Sequence, residues 1–355
     1  MTGSSFLVTE VGAETRSARW RRIIMGNPIL LFILKNGIVV VLLVELLYFS
    51  FTLGDRFYRP QALRLMLLNA SMIGVLMPFY ATAQIGGNVD LGTVPVGALG
   101  AVVAGLFFTI VGFPLPVAIL LAVLMAILIG GLYSWVVLKV RAPAVIASLA
   151  VGSLAQGIGR VITQTWGSTY FQIEFRTPVL RELLERGPLN IPLTVWLMFA
   201  IYLVYSVMLS HTKLGAHIYA VGTNPSVARL VGIRVSAVTI FCLMGITIGS
   251  VLASILLCAR VTYVGDTGAF SAASASAAGA LAVPITLIGT TISGVQLRGG
   301  RGSLWKTLLG LLFFSILTVG MGLLNMPAQW RVIAYGLAIV LAVVLDSIRS
   351  QLQID

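Results

Sequence analysis

Two cysteines and two histidines are the only thiol and imidazole groups in this 355-residue chain. Cys242 and Cys258 stand 16 residues apart in one apolar run, which on a helix separates them by about 24 Å, far beyond disulfide reach. His211 and His217, at i and i+6, do not share a helical face as a chelating pair must, so no metal site is expected. A Walker A loop places Gly directly before Lys, whereas Lys35, Lys139, Lys213 and Lys306 follow Leu34, Leu138, Thr212 and Trp305. This chain does not bind ATP in that way. HExxH, GxSxG and GxGxxG are absent as well, so hydrolase and dinucleotide chemistry have no residues to rest on, and no catalytic residue is expected.

What remains are polar groups set where apolar segments break. Gln84 precedes Gly86-Gly87-Asn88-Val89-Asp90-Leu91-Gly92-Thr93-Val94-Pro95, in which glycines and a proline interrupt a helix beside an acid. Farther on, Gly289-Thr290-Thr291-Ile292-Ser293-Gly294 leads to Arg298-Gly299-Gly300-Arg301-Gly302-Ser303. Gly-rich breaks at corresponding places of two halves are the trace of an internal repeat whose broken helices offer polar groups to a passing solute. Gln84, Asn88, Thr290, Thr291 and Ser293 are the candidate contacts on that path. Ordinary tight turns explain the same glycines, and explain Arg298 and Arg301 better. Asp90, just before the next apolar run, suits the N-terminus of a helix. Glu45 sits in the middle of the first apolar run; a cation or proton ligand and a carboxyl held by a polar neighbour are the two readings, and without a second buried carboxylate to form a relay the latter is preferred.

The elements that position these residues follow from composition. Apolar side chains make up 58% of the chain and charged ones 10%, against about 25% charged in soluble domains, so a soluble globule is excluded. Apolar runs over roughly 37–53, 64–85, 91–110, 115–138, 144–163, 191–209, 236–258, 271–295, 304–325 and 330–346 predict an all-α, polytopic integral membrane protein with about ten transmembrane helices. Residues 1–28 read as a cytoplasmic N-terminal tail and 29–355 as one transmembrane domain. With the N-terminus inside, the inner segments hold 14 of the 23 Lys and Arg residues, and three of the nine outer ones lie beside Glu174, Glu182 and Glu185. Both termini are therefore expected in the cytoplasm, and the net charge of +12 is read as topology rather than as affinity for nucleic acid.

The longest inner connection runs from His211 to Ile233. Asn224 can cap a helix that has Pro225 at its first position and Gly232 at its end, enclosing about seven residues. Outside, residues 166–190 carry Glu174, Arg176, Arg181, Glu182, Glu185 and Arg186, and Val179, Leu180, Leu183 and Leu184 have helical spacing, which predicts a short amphipathic helix.

Gly215, Ala220, Gly222, Asn224, Ala228, Arg229, Gly232 and Ile233 fall on the pattern G-x-x-x-x-A-x-G-x-N-x-x-A-A-R-x-x-G-I, with Val227 in place of a small residue. On this segment the chain resembles the ribose-type branch of the bacterial ABC sugar permeases, from about residue 37 to the C-terminus. Gly86-Gly87-Asn88-Val89-Asp90-Leu91-Gly92 is similar to that family's G-G-x-D-L-S-V-G with one residue inserted and the end altered, and Gly299-Gly300-Arg301-Gly302-Ser303 also matches, although Ser271 to Ala280 is lengthened and rich in Ala and Ser.

The resemblance implies a permease subunit of the bacterial inner membrane that imports a sugar or sugar alcohol. It would pair with itself or a paralogous permease and receive solute from a periplasmic binding protein. The cytoplasmic ATPase partner would hold ATP and Mg, and this chain no cofactor. Gly215, Tyr219, Gly222, Asn224, Val227, Ala228, Arg229, Leu230 and Gly232 would couple to that ATPase, and Arg176, Arg181 and Arg186 would dock the binding protein. No signature of the related branched-chain amino-acid permeases is found, so a nucleoside ranks second to a sugar. An ion-coupled transporter and a membrane scaffold are the competing classes; the first needs buried ionisable ligands, which are scarce here, and the second has no use for broken helices or the capped inner loop.

Overall fold

Residues 37–167, 187–261, 299–327 and 329–338 are described by the computed structural model, together with 172–175, 181, 182, 184, 263–265, 286, 289–291, 293–297 and 340. The N-terminal tail, Arg176, Arg186, Arg298 and much of the runs 271–295 and 330–346 lie outside the described residues. The helices are α1 (Gly37–Leu53), α2 (Pro60–Ile85), α3 (Thr93–Gly105), α4 (Leu115–Trp135), α5 (Ala144–Trp166), α6 (Leu193–His211), α7 (Lys213–Thr223), α8 (Pro225–Leu230), α9 (Val235–Val261) and α10 (Leu304–Leu323). Single π turns extend α3 to Ile110 and α4 to Val140. Among the described residues, eight helices are long and apolar enough to cross a membrane: α1 to α6, α9 and α10. These correspond to eight of the ten expected runs, and residues 329–338 add helix at the start of the last one.

The prolines mark where spans begin. Pro60 is the first residue of α2, and Pro114, Pro143 and Pro192 directly precede α4, α5 and α6, positions where no backbone N–H is missed. Helix α9 is central: it packs on α2, α3 and α4, while α2 also meets α6 and α10, α3 meets α5, and α10 meets α1. Contact between α3 and α9 is close because Gly97 faces Ser250 and Ser254, and Gly100 faces Val251. Small residues let helix backbones approach in lipid, where van der Waals packing drives association.

One feature departs from the sequence expectation. A pair of three-residue strands, β1 (Gln172–Glu174) and β2 (Tyr263–Gly265), runs antiparallel with Ile173 opposite Val264. Thr109, at the end of the α3 extension, donates its hydroxyl to the Glu174 carbonyl at 2.6 Å, which fastens this patch to the bundle. Of the amphipathic segment expected nearby, residues 181, 182 and 184 are helical and Leu184 is buried with Ile173 and Phe175.

Candidate coupling and translocation site

The connection after α6 is a helical hairpin, not a loop with one short helix. Thr212 caps α7 by accepting the Gly215 N–H at 3.2 Å. Asn224 Oδ1 accepts the Ser226 and Val227 N–H groups at 3.0 and 3.2 Å, with Pro225 first in α8, as the sequence predicts. Gly232, at φ +82°, and Ile233 donate their N–H groups to the Arg229 and Ala228 carbonyls and end the helix in the left-handed turn that favours glycine. Ala228 is buried beneath α8, whereas Val227, Leu230 and Val231 are exposed, Leu230 by 86%. Arg229 is exposed beside them.

Helix α7 ties this hairpin to both broken segments. Gly222 lies so close to the end of α2 that a β-carbon would overlap the Ile85 carbonyl oxygen and come within 2.6 Å of the Gly300 nitrogen. That Ile85 carbonyl accepts the Gly300 N–H at 2.7 Å, and the Tyr219 hydroxyl donates to the Gly302 carbonyl at 2.9 Å. Gly299 rests on Gly87, where a β-carbon would stand 2.7 Å from the Gly87 Cα. Thus Gly86-Gly87, Gly222 and Gly299-Gly300, three glycine elements far apart in sequence, meet in one backbone-to-backbone junction. Gly215 serves a similar purpose where α7 folds back on α6, against the Met208 and Leu209 carbonyls.

Of the expected path residues, Gln84, Thr290 and Thr291 do come together. Gln84 Nε2 donates to Thr291 Oγ1 at 3.2 Å and to the Val295 carbonyl at 3.4 Å, while Thr290 donates its hydroxyl to Gln84 Oε1. Ser293 donates to the Gly289 carbonyl one turn earlier, and Asn88 Nδ2 to the Gly86 carbonyl in its own turn. All five side chains are buried inside the subunit, and in this conformation Gln84, Thr290 and Thr291 clamp the two breaks together.

Asp90 secures the start of α3, although Gly92 occupies the cap position. Its carboxylate oxygen accepts the Thr93 hydroxyl at 2.8 Å, with the Gly92 and Thr93 N–H groups and the Tyr133 hydroxyl also turned to it. Burial pushes this carboxyl above the ordinary carboxylate range, against those hydrogen bonds. The Tyr80 hydroxyl donates to the Asp90 carbonyl at 2.7 Å, and Ser148 accepts the Leu91 N–H at 3.0 Å. Tyr80, Tyr133 and Ser148 were not singled out from the sequence, because nothing local to them signals a partner on another helix. Glu45 is buried in α1 with no hydrogen-bond partner for either carboxyl oxygen among the described residues, in place of the expected polar neighbour. Of the three outer arginines, Arg181 is described, in helical conformation and exposed.

Comparison with known proteins bears on this arrangement. A family model described as "Branched-chain amino acid transport system / permease component" matches residues 63–343, a range that takes in all three glycine elements. The ribose import permease protein RbsC of Escherichia coli K12 is 28% identical over 328 residues, which cover 89% of this chain and 94% of RbsC. The autoinducer 2 import system permease protein LsrC of Enterobacter sp. strain 638 is 30% identical over 312 residues, 87% of this chain and 82% of its own. The fructose import permease protein FrcC of Rhizobium meliloti is 24% identical over 313 residues, 87% and 84% of the two chains. No solved structure matches. With the family match running from α2 to beyond α10, this chain belongs to the ribose-type branch of the ABC importer permeases, as a multi-pass subunit of the bacterial inner membrane.

Proposed function

We propose that the protein is the transmembrane subunit of an ATP-driven importer for a neutral sugar or sugar alcohol, and that α8 is its contact with a cytoplasmic ATPase. The observation that carries this reading is the capped α8 itself. Two apolar side chains, Val227 and Leu230, and one cation, Arg229, stand exposed on a six-residue helix, with Val231 exposed directly after it, and its base is locked into the glycine junction. Apolar residues held out by a rigid support suit a docking surface, because their burial on a partner is favourable and little ordering entropy remains to be lost. Arg229 would then meet a carboxylate or a helix C-terminus of the ATPase. ATP and Mg belong to that partner, and this chain makes or breaks no bond.

The substrate class rests on the ribose and fructose named for the relatives and on a bundle that carries few charges. A periplasmic binding protein would deliver the solute, docking on the connection 166–190 through Arg176, Arg181 and Arg186. A second permease subunit, identical or paralogous, would complete the assembly, with both termini in the cytoplasm.

The test is uptake of labelled ribose and fructose by cells with and without the chain, with and without vanadate. Vanadate-sensitive uptake that depends on the chain is expected, whereas vanadate-resistant uptake that follows an ion gradient assigns it to secondary transport. Arg229→Glu should reach the membrane in normal amount and lose uptake while ATP hydrolysis by the purified complex continues. Normal uptake in that variant removes α8 as the coupling element.

A further inference from the structure

Helix α4 carries its lipid-facing surface as a single stripe. Leu124, Leu128, Leu132 and Trp135 are exposed at steps of four and three residues, and Lys139, also exposed, takes the next step on the same face. Leucines, then an aromatic ring, then a cation is the order in which a span passes from hydrocarbon through the interface to the headgroups. Two residues later the chain turns toward α5 at Arg141, whose backbone stands at φ +59°, in the left-handed region that favours glycine. An arginine kept where glycine is less strained is a sign that its charge is used.

Helix α9 reaches the same end of the bundle. Gly130 of α4 crosses it so closely that a β-carbon would stand 3.1 Å from the Met244 Cα. From that crossing Lys139 lies nine residues on and Arg234 ten residues back along the neighbouring helix, roughly 14 and 15 Å, so both arrive at one level. Met244, Ile240 and Ala237 share a face of α9; the first packs on α4 and the other two are exposed, so a cleft opens between the helices toward this end. Lys139, Arg141 and Arg234 stand exposed at its mouth, none with a hydrogen-bond or ion-pair partner. The sequence has no Asp or Glu over 91–173 or 186–265 to supply one. Residues 115–167 and 223–261 are described without a break, and the described ends of the chain, Ile38 and Ala338, belong to the cluster on α10, whereas Tyr133 of α4 and Leu243 of α9 belong to a separate one.

Three cations around an apolar cleft at headgroup depth suit a phosphate diester borne on acyl chains. We infer that Lys139, Arg141 and Arg234 hold the phosphate of an anionic phospholipid from the leaflet on the side of the glycine junction, with an acyl chain lying along Ile240 and Ala237. Each guanidinium can give two parallel N–H bonds to phosphate oxygens, and Lys139 adds a point charge. Trp135 packs at the level of the glycerol, where aromatic rings gather. The site is the same whichever solute the subunit passes.

In the test, the full chain in neutral detergent, depleted of lipid, is titrated with dioleoylphosphatidylglycerol or dioleoylphosphatidylcholine, and bound lipid is counted by native mass spectrometry. A single phosphatidylglycerol held roughly tenfold or more tighter than phosphatidylcholine is expected. Arg141→Gly removes the charge and relieves the backbone strain, so it should melt no lower than the unaltered chain, yet bind the anionic lipid about fivefold more weakly, as should Arg234→Gln. Lys306→Gln, which removes an exposed cation at the start of α10, should bind as the unaltered chain does. Equal affinity for the two lipids overturns the inference, as does unchanged binding in Arg141→Gly and Arg234→Gln. Equal weakening in all three variants overturns it too, being the mark of diffuse attraction by net charge. Loss of the ATPase from the purified complex of Arg141→Gly and Arg234→Gln, with lipid binding intact, assigns the cations to a protein surface instead.

Discussion

Asp90 and Asn88 stand two residues apart in the same break and do different work. Asp90 holds together the start of α3, the Thr93 hydroxyl and Tyr133 of α4, all in a buried setting. Removing the carboxyl takes its acceptor from the buried Thr93 hydroxyl, while the Tyr133 hydroxyl keeps the Ala144 carbonyl at 3.1 Å, and this costs about 1–3 kcal/mol, more than the net value of an ordinary hydrogen bond. Asn88 makes one bond of 3.2 Å to the Gly86 carbonyl in its own turn, so its loss is worth about 1 kcal/mol. Asp90→Ala should therefore lower folded yield and melting temperature in detergent, and Asn88→Ala should leave both close to wild type. If Asn88→Ala loses yield and Asp90→Ala does not, the roles are exchanged. Transport by yield-matched protein then reports separately on the path, for which Asn88 remains a candidate if the clamp around Gln84 opens during the cycle. The sequence indicated that Asp90 belonged to a helix start because acid, glycine and proline are local signals. It could not show Tyr80, Tyr133 or Ser148, whose part depends on which helices become neighbours.

At the scale of elements, glycine explains both what was legible and what was not. Asn224, Pro225 and Gly232 delimit α8 within residues adjacent in sequence, and the helix is found where they place it. Helix α7 was less legible, because Gly215 and Gly222 weaken a helical pattern. In the fold they lie in or beside a helix and are small so that other backbones can touch them. The three-residue strands β1 and β2 are likewise invisible to periodicity, since they are too short to alternate and pair across 91 residues of separation between Ile173 and Val264. The two uses of glycine can be told apart. Gly222→Ala puts a methyl group into the Ile85 carbonyl and displaces the Gly300 N–H from it, so overpacking of at least about 1–3 kcal/mol and loss of folded yield are expected. Gly232→Ala meets nothing within 4 Å and carries only the strain of its φ of +82°, about 1–2 kcal/mol. Limited proteolysis of membranes should show the hairpin 212–232 opened in the first variant and intact in the second.

For the whole molecule, the ends of the elements settle which face is which. The junction of Ile85, Gly222 and Gly300 gathers the end of α2, the α7–α8 hairpin and the approach to α10 at one side of the bundle. The strands, with Thr109 at the end of the α3 extension, gather at the other, where α5 and α9 also finish. Gly265 in β2 and Gly299 at the junction therefore lie on opposite sides. The chain between them is 33 residues long, enough for one passage of about 20 residues and not for three. The sequence reading puts one such passage at 271–295, most of which lies outside the described residues. The inner bias of Lys and Arg in the sequence gives the expectation to test: the junction side, with Lys213 and Arg229 in the hairpin and Arg234 just after it, should face the cytoplasm. Alkaline phosphatase, which is active only outside the cytoplasm, gives the test when fused to truncations of the chain. Fusions after Gly167 and Gly265 should be active, and those after Gly232, Arg301 and the C-terminus inactive. An active fusion after Arg301 would mean that the chain does not cross between β2 and the junction. Activity after Gly232 would turn the molecule over and place α8 out of reach of any cytoplasmic ATPase.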